Sequence, residues 1–290
     1  MKIWDRKKHC YIEEKEYAKK QLDFLYQTVP GRILLKCIIS RRWFSKIMAE
    51  RQKTKSSVRK IQPFIEKYQI DLSGCEKKEF DSFEDFFTRK RIYKIDTGAE
   101  ELIAIADARL MVFPIDSQLM LHIKNSIYSI QELIDKKEIP EAYKNGICLV
   151  YRLAMEDYHR YVYPDKGVVG EIRNIPGVLH TVRPVSEQYR VFSRNHRICT
   201  ILHTNHFSDI IQIEVGALLV GKIHNHQTEM FEKLQEKGYF SYGGSTIIQL
   251  FQKDTIQIEK DIITKSKEGI EVKVSIGERI GIAYKEGKKC

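Results

Sequence analysis

Residues 239–251 read YFSYGGSTIIQLF, two glycines followed by a serine, a threonine and an apolar run. Glycine has no Cβ atom, so Gly243 and Gly244 can adopt backbone conformations that are closed to other residues. The apolar run favours a buried strand. The stretch therefore predicts a tight turn with Ser245 at its apex, where the serine hydroxyl can reach the Gly244 carbonyl and the chain can cleave itself. An isolated motif of this kind is also compatible with an ordinary glycine turn.

The positive charge of the chain is concentrated near its start. The 290 residues carry a formal net charge of +10, and residues 1–60 hold 17 Lys and Arg against 6 Asp and Glu. Within residues 31–48, basic side chains such as Arg32 and Lys36 alternate at helical spacing with apolar ones such as Trp43. A basic amphipathic helix of this kind is typical of segments that lie on an anionic membrane surface. The alternative is a helix that packs its apolar side on the protein core.

The pattern along the chain changes from helical to strand-like. Residues 13–26 and 31–53 favour helices by periodicity, and Pro30 separates them. From residue 102 onward, short apolar runs bounded by turn residues favour strands, interrupted by one helix at 129–137. The predicted strands are 102–106, 110–113, 147–153, 168–172, 210–223, 245–252, 255–258 and 271–275. We therefore expect an α+β fold, with N-terminal helices followed by a predominantly antiparallel β core.

Several sequence features bear on the location of the protein. No stretch approaches the ~20 consecutive apolar residues that span a bilayer, and residues 1–20 are too charged for a cleavable signal. The six cysteines are scattered without a Cys-x-x-Cys pair. We therefore expect reduced thiols in a cytoplasmic protein.

Nucleic acid and metal ions are not expected as partners. The basic segment lacks a recognisable aromatic stacking motif, which argues against nucleic-acid binding. His224 and His226 are spaced to share one face of a strand, with His203 and His206 nearby in the sequence. No carboxylate or cysteine at ligand-like spacing completes a metal site around them.

Six further motifs occur along the chain in a specific order. They are residues 82–90 (SFEDFFTRK), 105–110 (IADARL), 157–161 (DYHRY), 182–184 (VRP), 193–197 (SRNHR) and 214–221 (EVGALLVG). Together with the Gly-Ser-Thr sequence at residues 244–246, this set resembles the phosphatidylserine decarboxylases. These are pyruvoyl-dependent enzymes whose precursor cleaves itself before a serine. The resemblance extends from Phe83 to Phe251.

The resemblance implies a chemistry based on Ser245. The serine would attack the Gly244 carbonyl, and elimination and loss of ammonia would leave a covalent pyruvoyl group as the cofactor. Its ketone would condense with the amine of phosphatidylserine and accept the electrons released with CO₂, giving phosphatidylethanolamine. Cleavage would give a beta chain, residues 1–244, and an alpha chain, residues 245–290, which stay together as a heterodimer. Further dimerisation is left open.

The family uses an aspartate–histidine–serine relay to activate the serine. Asp107 matches the family aspartate, and His159 matches the first histidine of the family sequence Tyr-His-Arg-x-His. The second histidine of that sequence, which serves as the relay base, is Val162 here. Either His159 or His180 can supply the missing imidazole. The catalytic candidates are therefore Ser245, His159, Asp107 and His180.

The resemblance also implies an organisation and a location. We expect a basic helical, membrane-associating region over residues 1–70 and a decarboxylase domain over residues 71–290. Because phosphatidylserine is anionic, we expect a peripheral enzyme on the cytoplasmic face of the cell membrane. The replacement at Val162 leaves a second hypothesis, a catalytically impaired, non-processed homologue that binds membrane surfaces. A third is a decarboxylase of a related serine lipid or a soluble amino acid.

Overall fold

The computed structural model describes residues 2–14, 18–93, 95–123, 126–182, 184–218, 222–243 and 245–284. Its strands are β1 (Lys2–Asp5), β2 (Cys10–Glu13), β3 (Glu101–Ile103), β4 (Ala108–Pro114), β5 (Met120–Ile123), β6 (Ser126–Ser129), β7 (Ile147–Leu153), β8 (Arg160–Val162), β9 (Gly167–Ile175), β10 (Arg197–Thr204), β11 (Asp209–Gly216), β12 (Ile223–Asn225), β13 (Met230–Phe231), β14 (Glu236–Phe240), β15 (Ser245–Phe251), β16 (Ile256–Ile258), β17 (Glu271–Val274) and β18 (Arg279–Ala283). Its helices are α1 (Lys19–Gln27), α2 (Val29–Leu34), α3 (Arg42–Gln52), α4 (Ile61–Tyr68), α5 (Phe83–Phe87), α6 (Ile130–Ile134), α7 (Val191–Arg194) and α8 (Lys260–Lys267). A π-helical turn lies at Leu35–Ile39, and 3₁₀ turns lie at Lys55–Lys60, Glu141–Tyr143 and Pro184–Tyr189.

The described strands form one large sheet and three small ones. The order in the ten-stranded sheet is β13-β9-β10-β11-β15-β7-β4-β17-β1-β2. Its neighbouring strands are antiparallel, except that β1 and β17 run parallel. The small sheets are β12-β14-β8, β16-β18-β3 and the hairpin β5-β6. The predicted α+β fold is confirmed, with helices concentrated near the N-terminus and a predominantly antiparallel β core.

Strand β15 carries the predicted serine turn into the interior of the large sheet. It lies between β11 and β7, and every residue of Ser245–Phe251 is buried. On one face, Ile247 and Phe251 pack into a core shared with the two three-stranded sheets. On the other face, Ile248 and Leu250 pack against residues of β5, β6 and α6. Because side chains alternate along a strand, Ser245 lies on the same face as Ile247.

The N-terminal helices differ from the prediction at their boundaries. Residues 2–13 contribute β1 and β2 to the edge of the large sheet, and the first helix begins only at Lys19. The second predicted helix is divided into α2, the π-helical turn and α3. The division lies at Ser40 and Arg41, where the Ser40 carbonyl accepts a hydrogen bond from the Leu179 backbone N–H at 2.9 Å. Arg41 is extended, with ψ 141°. A contact with a distant segment therefore overrides local helix propensity.

The N-terminal region is joined to the rest of the molecule at several places, including a strand pairing and an aromatic contact. β1 pairs with β17 near the C-terminal end of the chain. Phe64 of α4 packs against Phe83 and Phe86 of α5, with ring centroids 5.2 and 6.0 Å apart. The domain boundary at residue 70 stays a prediction. Among the helices of the described ranges, none is both long enough and apolar enough to cross a bilayer.

Candidate active site

Ser245 is the first residue of β15 and is fully buried. It pairs with Gly216 of β11 on one side and Leu153 of β7 on the other. Its Oγ has no hydrogen-bond partner among the described residues. Buried polar groups are normally paired, so an unpaired hydroxyl at this depth is a feature that requires an explanation. Gly244, the other residue of the predicted cleavage site, lies outside the described residues.

The serine turn, residues 241–243, is stabilised by contacts with helix α5. Gly243 has φ 138°, a conformation that favours glycine. The backbone N–H of Tyr242 donates a hydrogen bond to Glu84 Oε2 at 3.0 Å. Burial raises the pKa of the Glu84 carboxyl, while the hydrogen bonds from Tyr242 and Ser241 oppose this shift. A single side chain of α5 is thus coupled to two residues of the turn.

Helix α5 also provides the aromatic cover of the site. Ser82 is the N-cap residue immediately before the helix. Its Oγ accepts a hydrogen bond from the Asp85 N–H at 3.1 Å. Phe83 and Phe87 are buried, and both rings contact Tyr242 of the serine turn, at 5.4 and 5.3 Å between centroids. The motif at residues 82–90 therefore packs directly on the turn that precedes Ser245.

His159 is buried beneath this aromatic cover. Its ring lies 4.1 Å from the ring of Phe87, centroid to centroid. The pKa of His159 is lowered to about 3, mainly by burial and also by the nearby positive charge of Arg89, while the backbones of Asp157 and Gly243 oppose the shift. The imidazole is therefore neutral near pH 7, although burial also makes it a weaker base.

The tautomer of His159 follows from the hydrogen bond that its Nδ1 atom makes with the Asp157 backbone. Nδ1 lies 2.9 Å from the Asp157 carbonyl oxygen, which can only accept, so Nδ1 carries the proton. Nε2 is buried and makes no hydrogen bond of standard geometry among the described residues, although the Gly243 backbone lies close enough to the ring to raise its pKa. This tautomer leaves the Nε2 lone pair free to take a proton. The site thus combines an unpaired hydroxyl on Ser245 with an unpaired basic nitrogen beside Gly243.

A cluster of buried charges fixes the loop that precedes His159. The Asp157 carboxylate contacts the Arg109 guanidinium and accepts a hydrogen bond from the Ala154 N–H at 2.7 Å. Arg109 also pairs with Glu156, at 2.5 Å. Burial raises the pKa of the Asp157 carboxyl, and the Arg109 charge opposes it. Because the Asp157 carbonyl sets the His159 tautomer, these ion pairs position the imidazole.

Asp107 is not hydrogen-bonded to His159. Its carboxylate pairs with Arg91 and accepts a hydrogen bond from the Ile276 N–H at 2.9 Å. Val162, which replaces the family histidine, is fully buried, and its N–H donates to the Ile105 carbonyl at 3.0 Å. Position 162 therefore lies beside the Asp107 segment, where valine offers no imidazole. The catalytic role of Asp107 stays a prediction.

His180 packs in a different environment. Its Nδ1 lies 3.3 Å from the Tyr26 hydroxyl, and its ring lies 4.7 Å from that of Tyr189. Burial lowers its pKa to about 4, with a further contribution from the charge of Arg194. The described contacts of the His180 ring are thus with α1 and the 3₁₀ turn before α7. No hydrogen bond joins it to Ser245 among the described residues.

The histidines considered as metal ligands have other partners. His224 Nε2 lies 3.1 Å from the Ser241 hydroxyl, and His226 Nε2 lies 2.6 Å from Glu236 Oε1. His203 and His206 contact aspartates. Within the part of the chain that the structure describes, no group of three or more His, Cys, Asp or Glu residues is arranged to hold a metal ion.

Comparison with known proteins gives one consistent family. The family model for phosphatidylserine decarboxylase matches residues 83–282. Phosphatidylserine decarboxylase proenzyme 2 of Clostridium acetobutylicum is 50% identical over 92% of this chain and 94% of its own length. The proenzyme of Desulfitobacterium hafniense strain Y51 is 37% identical over 98% of this chain and 99% of its own. That of Ruminiclostridium cellulolyticum is 39% identical over 97% of both chains.

These relationships and the buried serine–histidine site together define an enzyme of the decarboxylase class. The chain belongs to the phosphatidylserine decarboxylase family, and the predicted resemblance is confirmed. These relatives are named as proenzymes. The comparisons do not support the hypothesis of a homologue that only binds membranes.

The structure places two further carboxylates around the candidate site that the sequence analysis did not assign. Glu84 and Asp157 lie inside motifs of the resemblance, yet neither was given a role. Their carboxylates act through backbone N–H groups, those of Tyr242 and Ala154. A backbone N–H donor is present in every residue except proline, so these hydrogen bonds leave no residue-type pattern in the sequence. The only available signal was the position of each carboxylate within a motif.

Proposed function

We propose that this chain is the precursor of a phosphatidylserine decarboxylase that forms a pyruvoyl group at Ser245. The observation that carries the proposal is the buried Ser245 hydroxyl, unpaired among the described residues at the start of a central strand. The unpaired Nε2 of His159 lies in the same buried region, beside Gly243. The names of the relatives support phosphatidylserine as the substrate.

The self-cleavage proceeds in three steps: ester formation, elimination and hydrolysis. Ser245 Oγ attacks the Gly244 carbonyl carbon, its proton passes to a base, and the peptide C–N bond breaks to leave an ester and a free amine. Loss of the Ser245 Cα proton then breaks the Cβ–Oγ bond, which gives a Gly244 carboxylate and dehydroalanine. The enamine rearranges to an imine, and water hydrolyses it to the ketone with release of ammonia. No external oxidant or reductant is required.

His159 is the base that the described geometry favours for the first step. Its neutral form and its unprotonated Nε2 allow it to accept the serine proton. Phe83 and Phe87 exclude water from the site and limit premature hydrolysis of the ester. The residues present therefore fit a pyruvoyl group made from Ser245. When formed, this group supplies a ketone that binds the substrate amine and accepts the electrons of decarboxylation.

We further propose that the enzyme is peripheral on the cytoplasmic face of the cell membrane. Although Leu35 of the π-helical turn is buried, several apolar side chains of α2 and α3 are exposed rather than packed on the core. Ile33 is 60% exposed, Trp43 52% and Ile47 49%. The same segment is basic, which adds attraction to an anionic surface. Exposure of these side chains supports membrane contact over docking on the protein core.

The experiment that tests the self-cleavage is intact mass spectrometry of the purified protein under denaturing conditions. We expect two chains, residues 1–244 and residues 245–290, with a pyruvoyl group at the start of the shorter one. The S245A variant is expected to remain one chain of 34.1 kDa. A wild-type protein that stays intact in the presence of anionic lipid would contradict the proposal.

A further inference from the structure

Two cavities reach the start of β15. One lies beside Thr246, against Tyr128 and Phe192, and encloses about 40 Å³. The other is a groove of about 510 Å³ between helix α3 and the serine turn. Of these two, only the groove is large enough for a phospholipid headgroup, since ligand pockets enclose roughly 300–1,000 Å³.

The groove extends from the exposed surface of α3 to the neighbourhood of Ser245. Trp43 of α3 lines its outer part, and Trp43 is 52% exposed. Ser241 of the serine turn and Gly216 of β11 also line it. Gly216 is the β11 partner of Ser245 in the sheet register. A ligand in this groove therefore lies between the apolar surface proposed to contact the membrane and the residue that becomes the pyruvoyl group.

The lining of the groove is positively charged. Lys46, Lys53 and Lys222 are exposed and line it, together with one carboxylate, Glu50. Lys53 Nζ lies 2.7 Å from Glu50 Oε1, so these two charges balance each other. Within the described ranges, neither Lys46 nor Lys222 forms an ion pair with a carboxylate. Two lysines are therefore left for an anionic ligand.

The lysine charges also act on the inner part of the groove. The pKa of His224 is lowered to about 4, mainly by burial and also by the charges of Lys222 and Lys53. His224 is therefore neutral near pH 7, and its Nε2 lies 3.1 Å from the Ser241 hydroxyl. The positive potential of the groove thus extends to the serine turn, and it comes from lysine rather than histidine.

We propose that this groove binds the phosphodiester of the lipid headgroup through Lys46 and Lys222. A lysine ammonium is a compact point charge suited to phosphate oxygens. In a phosphoserine headgroup, one oxygen and two carbons separate the phosphorus from the amino group. A phosphate held beside Ser241 and Gly216 therefore keeps the amine within reach of the start of β15. The proposal rests on the proposed function and names the residues that distinguish a phospholipid from free serine.

The test compares the processed K46Q/K222Q double variant with wild type on phosphatidylserine in neutral detergent micelles. We expect KM to rise about tenfold, which corresponds to ~1.4 kcal/mol, with kcat changed less than twofold. Inhibition by soluble glycerophosphoserine is expected to weaken by a similar factor, which separates a headgroup site from general attraction to a charged surface. A single-charge control is K166Q, because Lys166 is exposed and lies outside the groove, where it pairs with Glu232.

Several results would contradict the assignment of the phosphate to this groove. Unchanged KM and unchanged glycerophosphoserine inhibition in the double variant would overturn the proposal, as would an equal effect of K166Q. Inhibition of wild type by inorganic phosphate as strong as by glycerophosphoserine would overturn the assignment to the headgroup. Intact mass of each protein is measured alongside. A wild type that fails to cleave contradicts the proposed function, whereas normal cleavage with unchanged KM contradicts only the groove assignment.

Discussion

At the scale of single residues, the two candidate histidines have different surroundings. His159 is held by the Asp157 carbonyl with its Nε2 unpaired among the described residues, and it lies beside the serine turn. His180 faces Tyr26 and Tyr189. We therefore expect H159N to reduce self-cleavage by about 10²–10⁴-fold, the usual loss when a general base is removed. H180N is expected to cleave at nearly the wild-type rate. Timed cell-free synthesis followed by gel analysis measures both.

The low pKa of His159 also predicts how self-cleavage depends on pH. An imidazole with its ordinary value of 6.5 would lose its basic form as the pH falls below 6.5. With a pKa of about 3, His159 keeps its neutral form to lower pH, so self-cleavage is expected to continue at pH ~5. Circular dichroism of both variants serves as the folding control. Normal cleavage by H159N, or loss of cleavage in a folded H180N, would contradict the assignment.

Residue types were enough to predict the candidate site residues, but not the hydrogen bonds and ion pairs that connect them. The apolar run after Ser245 correctly indicated a buried strand, but Ser245 was expected at the apex of a turn and is instead the first, buried residue of that strand. The relay could not be predicted, because valine at position 162 removes the group that would join Asp107 to the site. Asp107 is instead paired with Arg91, from a segment distant in sequence. Such pairing depends on tertiary contacts that local sequence does not encode.

At the scale of elements, strands with long and continuous apolar runs were predicted from the sequence, whereas short strands with charged residues or glycine were not. The strand at Ile147–Leu153 was predicted with the bounds that the structure has. β1 and β14 were missed because β1 carries two charged residues in four and β14 contains Gly238. β1 forms because β17 lies alongside it. Short strands of this kind are defined by their partners rather than by their own propensity.

The exposed apolar side chains of the N-terminal helices lead to a testable prediction. We expect the I33S/I47S variant to bind vesicles containing phosphatidylserine at least tenfold more weakly than wild type, because each change removes apolar area that the bilayer would bury. Vesicle sedimentation measures the binding.

The matched control for this change is I172S. Ile172 of β9 is 59% exposed, similar to Ile33, but it lies in the large sheet away from these helices. The control is expected to bind as wild type does. Equal binding by I33S/I47S and wild type, with self-cleavage intact in both, would place the membrane contact elsewhere on the molecule.

At the scale of the whole molecule, the proposed cleavage would divide the large sheet through its interior. The chain of residues 245–290 would contribute β15, which lies between β11 and β7, and β17, which lies between β4 and β1. All residues of Ser245–Phe251 are buried. Removing them would expose the apolar core and leave the backbone groups of four neighbouring strands without partners, which is costly in water.

We therefore expect the two chains to stay together after cleavage without a covalent link. Cys10, Cys37, Cys75, Cys148 and Cys199 are free thiols, so the described cysteines provide no disulfide. Native size-exclusion chromatography under reducing conditions should give one peak that contains both chains in equal amounts, and the chains should separate only in denaturant. Release of the short chain in native buffer would contradict this expectation. It would also mean that β15 leaves the sheet after cleavage, and the buried position of Ser245 would then describe only the precursor.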